Sequence, residues 1–465
     1  MTSGNFNLPD ELLQAVAERT GRIALVIGAG CSLEQPTGLE LSSTYAQQIH
    51  EQLLIDGVLE IGDCDDPTDL SAVASAVYTK RHSQAEVVTR LPGNRFRNAQ
   101  ANDGYLAAAA LMREGAVSAI LSLNFDLAMT HALTELSADE VAVIAGPLTT
   151  GNLGSFIVVY LHRNVNEQNP EAWILRVEAL KSEWQGRWEE VLSQRVMSSP
   201  VVVFAGLGSP AAVLTECVRW IRERLNPDQH QTYVVDPMGA TQFQEALDLP
   251  GDAYIQSGWC AFMLTMSGRL AAELQIALRE ACFALCDAHS WNDERPHVDH
   301  LAEVFFSSGL VVSGKVRARW LMKNESYTPD NEDGRSFVAD LLLGIGLAQR
   351  QSQADIIIRR DGVVEFRNDR RVTVSCLPAS GAGALRWTAM EPRIVESVGR
   401  FLAHEKPSGV LISGMLGALP ATITPPEDIA YGNAEADITI GRLGLSYITV
   451  DELRTDPAVI ERLAS

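Results

Sequence analysis

Residues 25–38 read "LVIGAGCSLEQPTG". The run Ala24–Ile27 is apolar without alternation, the pattern of a strand buried on both faces. Gly28 and Gly30 follow at once, where the backbone must turn sharply or come close to something. A buried strand leading through such a turn into a helix opens an α/β sheet, and amides in the turn can face a pyrophosphate at the amino end of that helix. Each such contact contributes only ~0.3–1 kcal/mol, so several must converge. A turn made for packing explains a Gly-x-Gly equally well.

The pattern recurs further along the chain. "AVSAILSLNFD" (116–126), "EVAVIAGP" (140–147), "GSFIVVYLHRN" (154–164), "PVVVFAGLGSP" (200–210) and "TYVVDP" (232–237) are apolar runs that end in polar or turn residues. Helix-like stretches separate them, so the expected fold is a Rossmann-like parallel sheet with helices on both faces. The polar residues closing the runs then emerge together at the carboxyl edge, where open α/β sheets bind ligands. Asn124, Asp126 and His162 are the candidates for chemistry there. An N-cap role for Asn124 or Asp126 and a satisfied hydrogen-bonding role for His162 remain open alternatives. Gly206, Gly208 and Ser209 form a second glycine turn that can hold a ribose or phosphate.

Ahead of the glycine turn the spacing of Leu12, Leu13 and Val16 predicts a helix over Pro9–Arg19. Residues of about 40–115 read as a helical insertion, with the alanine-rich "GYLAAAALMREG" suited to close packing. The chain of 465 residues suggests two domains, 1–290 and 291–465, with the polar, proline-bearing "SWNDERPH" (290–297) as linker. The second is expected to be a smaller α/β domain. Its "ADIIIRRDGVVEFRNDRRVTVSCLP" (354–378) and "SGVLISGMLG" (408–417) resemble a degenerate restriction-endonuclease-like core. Asp355 stands at the first acidic position, but no Glu-x-Lys follows on the next strand to complete a magnesium site. An unrelated accessory domain is an equal reading, and "RNDRRV" fits a hairpin turn better than a basic contact surface.

Composition narrows the function. An apolar fraction of 46% and a charged fraction of 21% belong to a folded globular chain. With 59 acidic against 37 basic side chains the net charge is −22, which argues against strong direct binding of nucleic acid. Seven scattered cysteines form neither a disulfide framework nor a zinc tetrahedron, so no metal is expected and Cys282 and Cys286 read as core residues. Without a secretory signal or an apolar run of ~20 residues, the expected location is the cytoplasm, away from membranes.

The order "GAGCS…TGL", "LNFD", "YLHRN", "GLGS", "VVDP" over residues 20–265 resembles the sirtuin family. The resemblance implies NAD+ as substrate. It implies that Gly28, Ala29, Gly30, Ser32, Gly206, Gly208, Ser209 and Asp236 bind it, and that Asn124, Asp126 and His162 act on it. The chain departs from the lysine deacylases of that family. It has no Cys-x-x-Cys pairs for a zinc ribbon, "TGLELSS" replaces their Pro-Asp-Phe-Arg stretch, and Arg163 stands where glycine is usual. It is more similar to the sirtuin-like effectors of bacterial anti-phage systems. That likeness implies an NAD+ glycohydrolase yielding nicotinamide and ADP-ribose, active in abortive infection as a homo-oligomer. It also implies an activating partner, such as a ring-forming DNA-translocase ATPase, a short argonaute or another phage or nucleic-acid sensor. The chain has no phosphate-loop motif of its own to power a switch. An NAD-dependent deacylase and a noncatalytic subunit binding NAD or ADP-ribose are the alternatives.

Overall fold

The computed structural model describes residues 8–176, 188–208, 219, 230–238, 247, 249–321, 332–368, 371–378, 407–413 and 446–455. Its contacts divide the chain into two units, Met1–Leu270 and Ala271–Ser465. The first opens with α1 (Asp10–Glu18), which buries Leu12, Ala15 and Val16 and carries Asp10 and Glu11 in its first turn, where the helix dipole favours them. Strand β1 (Ile23–Ile27) is buried at every residue.

Between β1 and β2 (Val117–Ser122) lie five helices rather than one crossover: α2 (Ser42–Ile55), α3 (Leu70–Arg81), α4 (Ala85–Val88), α5 (Gly93–Arg97) and α6 (Asp103–Arg113). Side chains start two of them, Asp69 accepting the Ser71 N–H and Asn102 the Tyr105 N–H. Residues 107–112 of α6 are all buried, and their four consecutive alanines let it pack closely. After α7 (Ala128–Leu136) come β3 (Ala142–Ile144), β4 (Ile157–Tyr160), α8 (Trp188–Met197), β5 (Val201–Ala205), β6 (Gln231–Val235) and β7 (Tyr254–Ile255).

The seven strands form one parallel sheet in the order β3-β4-β2-β1-β5-β6-β7. Its register aligns the strand ends: Ile27 pairs with Ser122 and Ala205, Ser122 with Tyr160, and Ala205 with Val235. The residues that follow, Gly28, Leu123, Leu161, Gly206 and Asp236, therefore form one rim. From β1 the chain adds β2, then the edge strand β3, then β4 between them, and returns to the other side of β1 with β5. The β1/β5 boundary is thus the topological switch point, where sheets of this kind leave a crevice for ligands.

The boundary between units falls inside α9 (Trp259–His289), ahead of the division near 290 that the sequence indicates. "SWNDERPH" instead joins two helices within the second unit: Trp291 donates its N–H to Cys286 O, and Glu294 pairs with Arg350. A polar stretch with proline suits an interhelical turn as well as a linker. The second unit continues with α10 (Val298–Phe306), α11 (Gly309–Trp320) and α12 (Glu332–Ser352). Its five strands, β8 (Asp355–Ile358), β9 (Val363–Arg367), β10 (Arg371–Pro378), β11 (Gly409–Ser413) and β12 (Ser446–Thr449), precede α13 (Val450–Thr455). The sheet is mixed, in the order β12-β11-β10-β9-β8: β8, β9 and β10 are antiparallel neighbours, and β10, β11 and β12 parallel ones. Cys282 and Cys286 are buried in α9, as is Cys376 in β10. Asp355 lies exposed on the edge strand β8. Among the described residues no helix is long and apolar enough to cross a membrane.

Candidate active site

The glycine turn after β1 is pressed against the turn after β5. Gly28 donates its N–H to Ala205 O at 3.0 Å and Gly30 to Gly206 O at 2.8 Å. A Cβ on Gly28 would stand 2.4 Å from Leu207 Cδ2, and one on Gly30 2.7 Å from Gly206 Cα. Gly206 itself has φ +66° and would place a Cβ 2.5 Å from the Cys31 nitrogen. The three glycines interlock two loops at the switch point. Both glycine amides are engaged within the protein, and the close fit of the two loops requires glycine at both positions. Ala29 and Gly208 keep exposed surface at this rim, and a Cβ on Gly208 would meet nothing within 4 Å. Ser209 lies outside the described residues.

Below the glycine turn Asn124, Asp126, Ser32 and Tyr105 form one buried network. Asn124 Nδ2 donates to Gly28 O at 3.1 Å, to Tyr105 Oη at 3.0 Å and to Ser32 Oγ at 3.3 Å. Ser32 Oγ lies 2.7 Å from Tyr105 Oη and donates to Asp126 Oδ2 at 2.8 Å. With its amide hydrogens fixed, Asn124 is left with Oδ1 as an acceptor that takes no hydrogen bond among the described residues, on a side chain still 7% exposed. That atom can receive a ribose hydroxyl or a water.

Asp126 has two tasks. Its Oδ1 accepts the N–H of Ala128, the first residue of α7, at 2.9 Å, from the position one residue ahead of the N-cap, Leu127. Its Oδ2 meanwhile holds Ser32. Burial raises the Asp126 pKa above the usual carboxylate value, opposed by the Ala128 and Ser32 hydrogen bonds. Burial also holds the Tyr105 hydroxyl far above its ordinary value, so it is protonated at all physiological pH.

His162 stands on the neighbouring strand end, just past β4. Leu161 N–H donates to Ser122 O at 2.9 Å, and Val165 N–H to Phe125 O at 2.9 Å, fastening the β4 loop to the β2 loop. The imidazole lies 6.4 Å from the Phe125 ring, and Phe125 is packed in turn on Trp173 at 5.0 Å. Phe125 sits between Asn124 and Asp126 in the chain, so these contacts pack the His162 ring against the loop that carries the other two candidates. His162 is half-buried as a residue, and its Nε2 is buried. Burial first, then the Arg163 cation, lower its pKa to about 4, against a Leu123 backbone hydrogen bond that raises it. The imidazole is neutral at physiological pH. A base so far below working pH is always available but weakly driven, which suits orienting a hydroxyl or water more than complete proton removal.

The next residue, Arg163, has φ +75°. That left-handed conformation costs an L residue roughly 1–2 kcal/mol, which explains why glycine suits the position. Asp236, past β6, lies on the same rim two strands from β1. Its Oδ1 accepts the Met238 N–H at 2.7 Å and its carbonyl accepts the Tyr254 hydroxyl at 2.5 Å, so it shapes its own turn.

Sequence reasoning missed Tyr105 and Asn102. Asn102 Nδ2 donates to Cys31 O at 2.9 Å and so ties the start of α6 to the glycine turn. The available signal was Tyr105 itself, the one side chain with a polar tip in the apolar run 105–112, three residues after a capping asparagine. Glu34 is a further tie, its Oε1 accepting the Cys260 N–H in the first turn of α9 at 3.0 Å. A groove of about 430 Å³ along α1, lined by Asp10, Gln14, Glu18 and Arg269 among others, includes none of the candidate residues. Among the described residues no three His, Cys, Asp or Glu side chains converge as a metal site.

No protein-family model matches the chain, and no curated protein matches it. Among solved structures it is similar to a Sir2 homologue mutant in complex with ADP-ribose, with 17% identity over 57% of this chain and 98% of that one and a TM-score of 0.34. It is also similar to a Sir2 homologue–NAD complex, with 15% identity over 56% and 93% and a TM-score of 0.32. A third is a Sir2 homologue mutant with 2′-O-acetyl-ADP-ribose, with 18% identity over 57% and 98% and a TM-score of 0.35.

Proposed function

We propose that the chain hydrolyses NAD+ to nicotinamide and ADP-ribose. One observation supports the reading: the strand register sets the loops that carry Asn124 and His162 side by side on the carboxyl rim, with Asn124 anchored to the glycine turn at the β1/β5 switch point. A dinucleotide laid across that switch point presents its nicotinamide ribose to these two groups. The bond from C1′ to the nicotinamide nitrogen breaks, and its electron pair neutralises the pyridinium. The sugar left behind is oxocarbenium-like, as in glycoside hydrolysis. Asn124 Oδ1 holds a ribose hydroxyl or the attacking water. The water oxygen bonds to C1′ while its proton passes to His162 Nε2, the other ring nitrogen already carrying the proton shared with the Leu123 backbone. Asp126 acts through Ser32 and Tyr105, which fix the Asn124 amide, and is a positioning residue rather than a base.

In the cell we place this activity in an anti-phage effector that forms a homo-oligomer and is switched on by a partner protein, because free NAD+ hydrolysis is lethal. The test is to incubate the purified full chain, alone and with the product of a neighbouring gene, with NAD+ and to separate products by chromatography. Equal amounts of nicotinamide and ADP-ribose are expected. Release that depends on an acetyl-lysine peptide would make the protein a deacylase, and tight binding without turnover would make it a regulatory subunit.

A further inference from the structure

We propose that the buried Arg163–Glu189 pair is a positioning clamp for His162, pinning the loop after β4 to the first turn of α8. The inference rests on the catalytic reading of His162 given above. Arg163 is the residue next to His162, and its side chain reaches the first turn of α8. Its Nη2 donates to Glu189 Oε1 at 2.9 Å, and its guanidinium carbon lies 5.0 Å from the centre of the Trp188 ring. The two side chains are only 8% and 1% exposed. Among the described residues Arg163 Nε and Nη1 and Glu189 Oε2 have no hydrogen-bond partner, so the pair is held by one contact and one stacked ring.

Three features are hard to explain by stability alone. A left-handed backbone strains any L residue but glycine. A buried ion pair with part of its hydrogen-bonding capacity unfilled is a weak stabiliser compared with apolar packing. Strained backbone of this kind persists where the surroundings impose it, commonly at functional sites. The pair also sits at the one loop whose carbonyl and ring surround the candidate chemistry: His162 O accepts the Ile174 N–H at 3.4 Å, and Arg163 N–H closes the turn onto Tyr160 O at 3.3 Å. Fixing Arg163 therefore fixes the imidazole's stem, and it leaves a permanent cation beside the ring that adds to burial in lowering its pKa. Among the described residues Arg163 is the charged group that acts on the ring. Asp126 on the β2–α7 turn is engaged by Ser32 and Ala128, Glu189 by Arg163, and Arg176 lies over the Tyr78 ring.

The experiment measures the His162 imidazole titration by NMR, assigned with His162→Ala, alongside the pH profile of NAD+ turnover. Four chains are compared: wild type, Arg163→Lys, Arg163→Gly, and Arg163→Gly with Glu189→Gln, the last leaving no buried carboxylate unpaired. The clamp predicts that both glycine variants raise the His162 pKa by about one unit or more and move the acidic limb of kcat with it. It predicts a fall in kcat of about ten-fold, with a smaller change in KM, although glycine relieves the backbone. Arg163→Lys should keep the titration low. An unmoved His162 titration in the double variant, or full kcat with an unmoved acidic limb, overturns the clamp. Because the titration needs no turnover, a wild type that never releases nicotinamide sinks the hydrolase reading without deciding the clamp, and an unmoved titration in an active enzyme sinks the clamp alone.

Discussion

The two sheets treat their charged and polar residues in opposite ways. In the parallel sheet Asn124, Asp126 and His162 stand beyond the strand ends, with their surroundings pushing the ionisable ones away from their charged forms. In the mixed sheet the buried acid Glu365 is on a strand and is met by two cations: Arg367 Nε donates to its Oε1 at 2.5 Å and Arg371 Nη2 to its Oε2 at 3.0 Å. Those hydrogen bonds hold its carboxyl below the usual range. A carboxylate that is fully paired has nothing left to offer a substrate. One that is buried at a cost, beside an acceptor without a partner, marks a place where folding yields to chemistry.

The comparison can be broken most sharply at the rim. Changing His162 or Asn124 to Ala should lower NAD+ turnover by about 10²-fold or more, with the thermal unfolding profile kept, as measured by product chromatography and circular dichroism. Next comes the interlock of the two loops. Gly206→Ala meets the Cys31 nitrogen and an unfavourable φ, and should cost about 2–4 kcal/mol of unfolding free energy by denaturant titration. A destabilisation below half a kcal/mol would mean that the loops are not interlocked.

Acid should act through His162. Its folded pKa lies below its unfolded value, about 4 against 6.5, so the unfolded chain binds the extra proton between those values. Stability contributed by the neutral ring is therefore lost as pH falls from about 6.5 toward 4, with a slope of at most about 1.4 kcal/mol per pH unit. Substituting Gln for His162 should flatten that part of the profile. Asp126→Asn has a smaller and opposite signature: it removes a charge that burial disfavours, so the melting temperature should hold or rise while turnover falls. A lower melting temperature with full activity would assign Asp126 to holding the start of α7 alone. The smallest effect belongs to the second sheet, where Glu365→Gln should leave NAD+ turnover within about two-fold.

Much of the first unit was legible because parallel strands write themselves as unbroken apolar runs. Ala24–Ile27 differs from the observed strand by one residue, and α1 lacks only the two end residues of the predicted Pro9–Arg19. The rim was legible too, since a polar residue after such a run has few other places to go. What the glycines contact was not. Their spacing suits a phosphate cradle and a loop-on-loop contact alike, and only the register of β1 against β5 distinguishes them. Tyr105 and Asn102 escaped because they lie in the helical insertion, far in sequence from the glycine turn they serve. The unit boundary escaped because α9 carries its helical pattern through it.

The central claim is that Asn124 and His162 face the nicotinamide ribose across the β1/β5 switch point. A crystal structure of the His162→Ala chain with NAD+ examines that most directly. The account predicts the nicotinamide ribose within hydrogen-bond reach of Asn124 Oδ1, with C1′ beside the space the imidazole vacates. A dinucleotide bound elsewhere, or one whose adenosine rather than nicotinamide end meets Asn124, would contradict it.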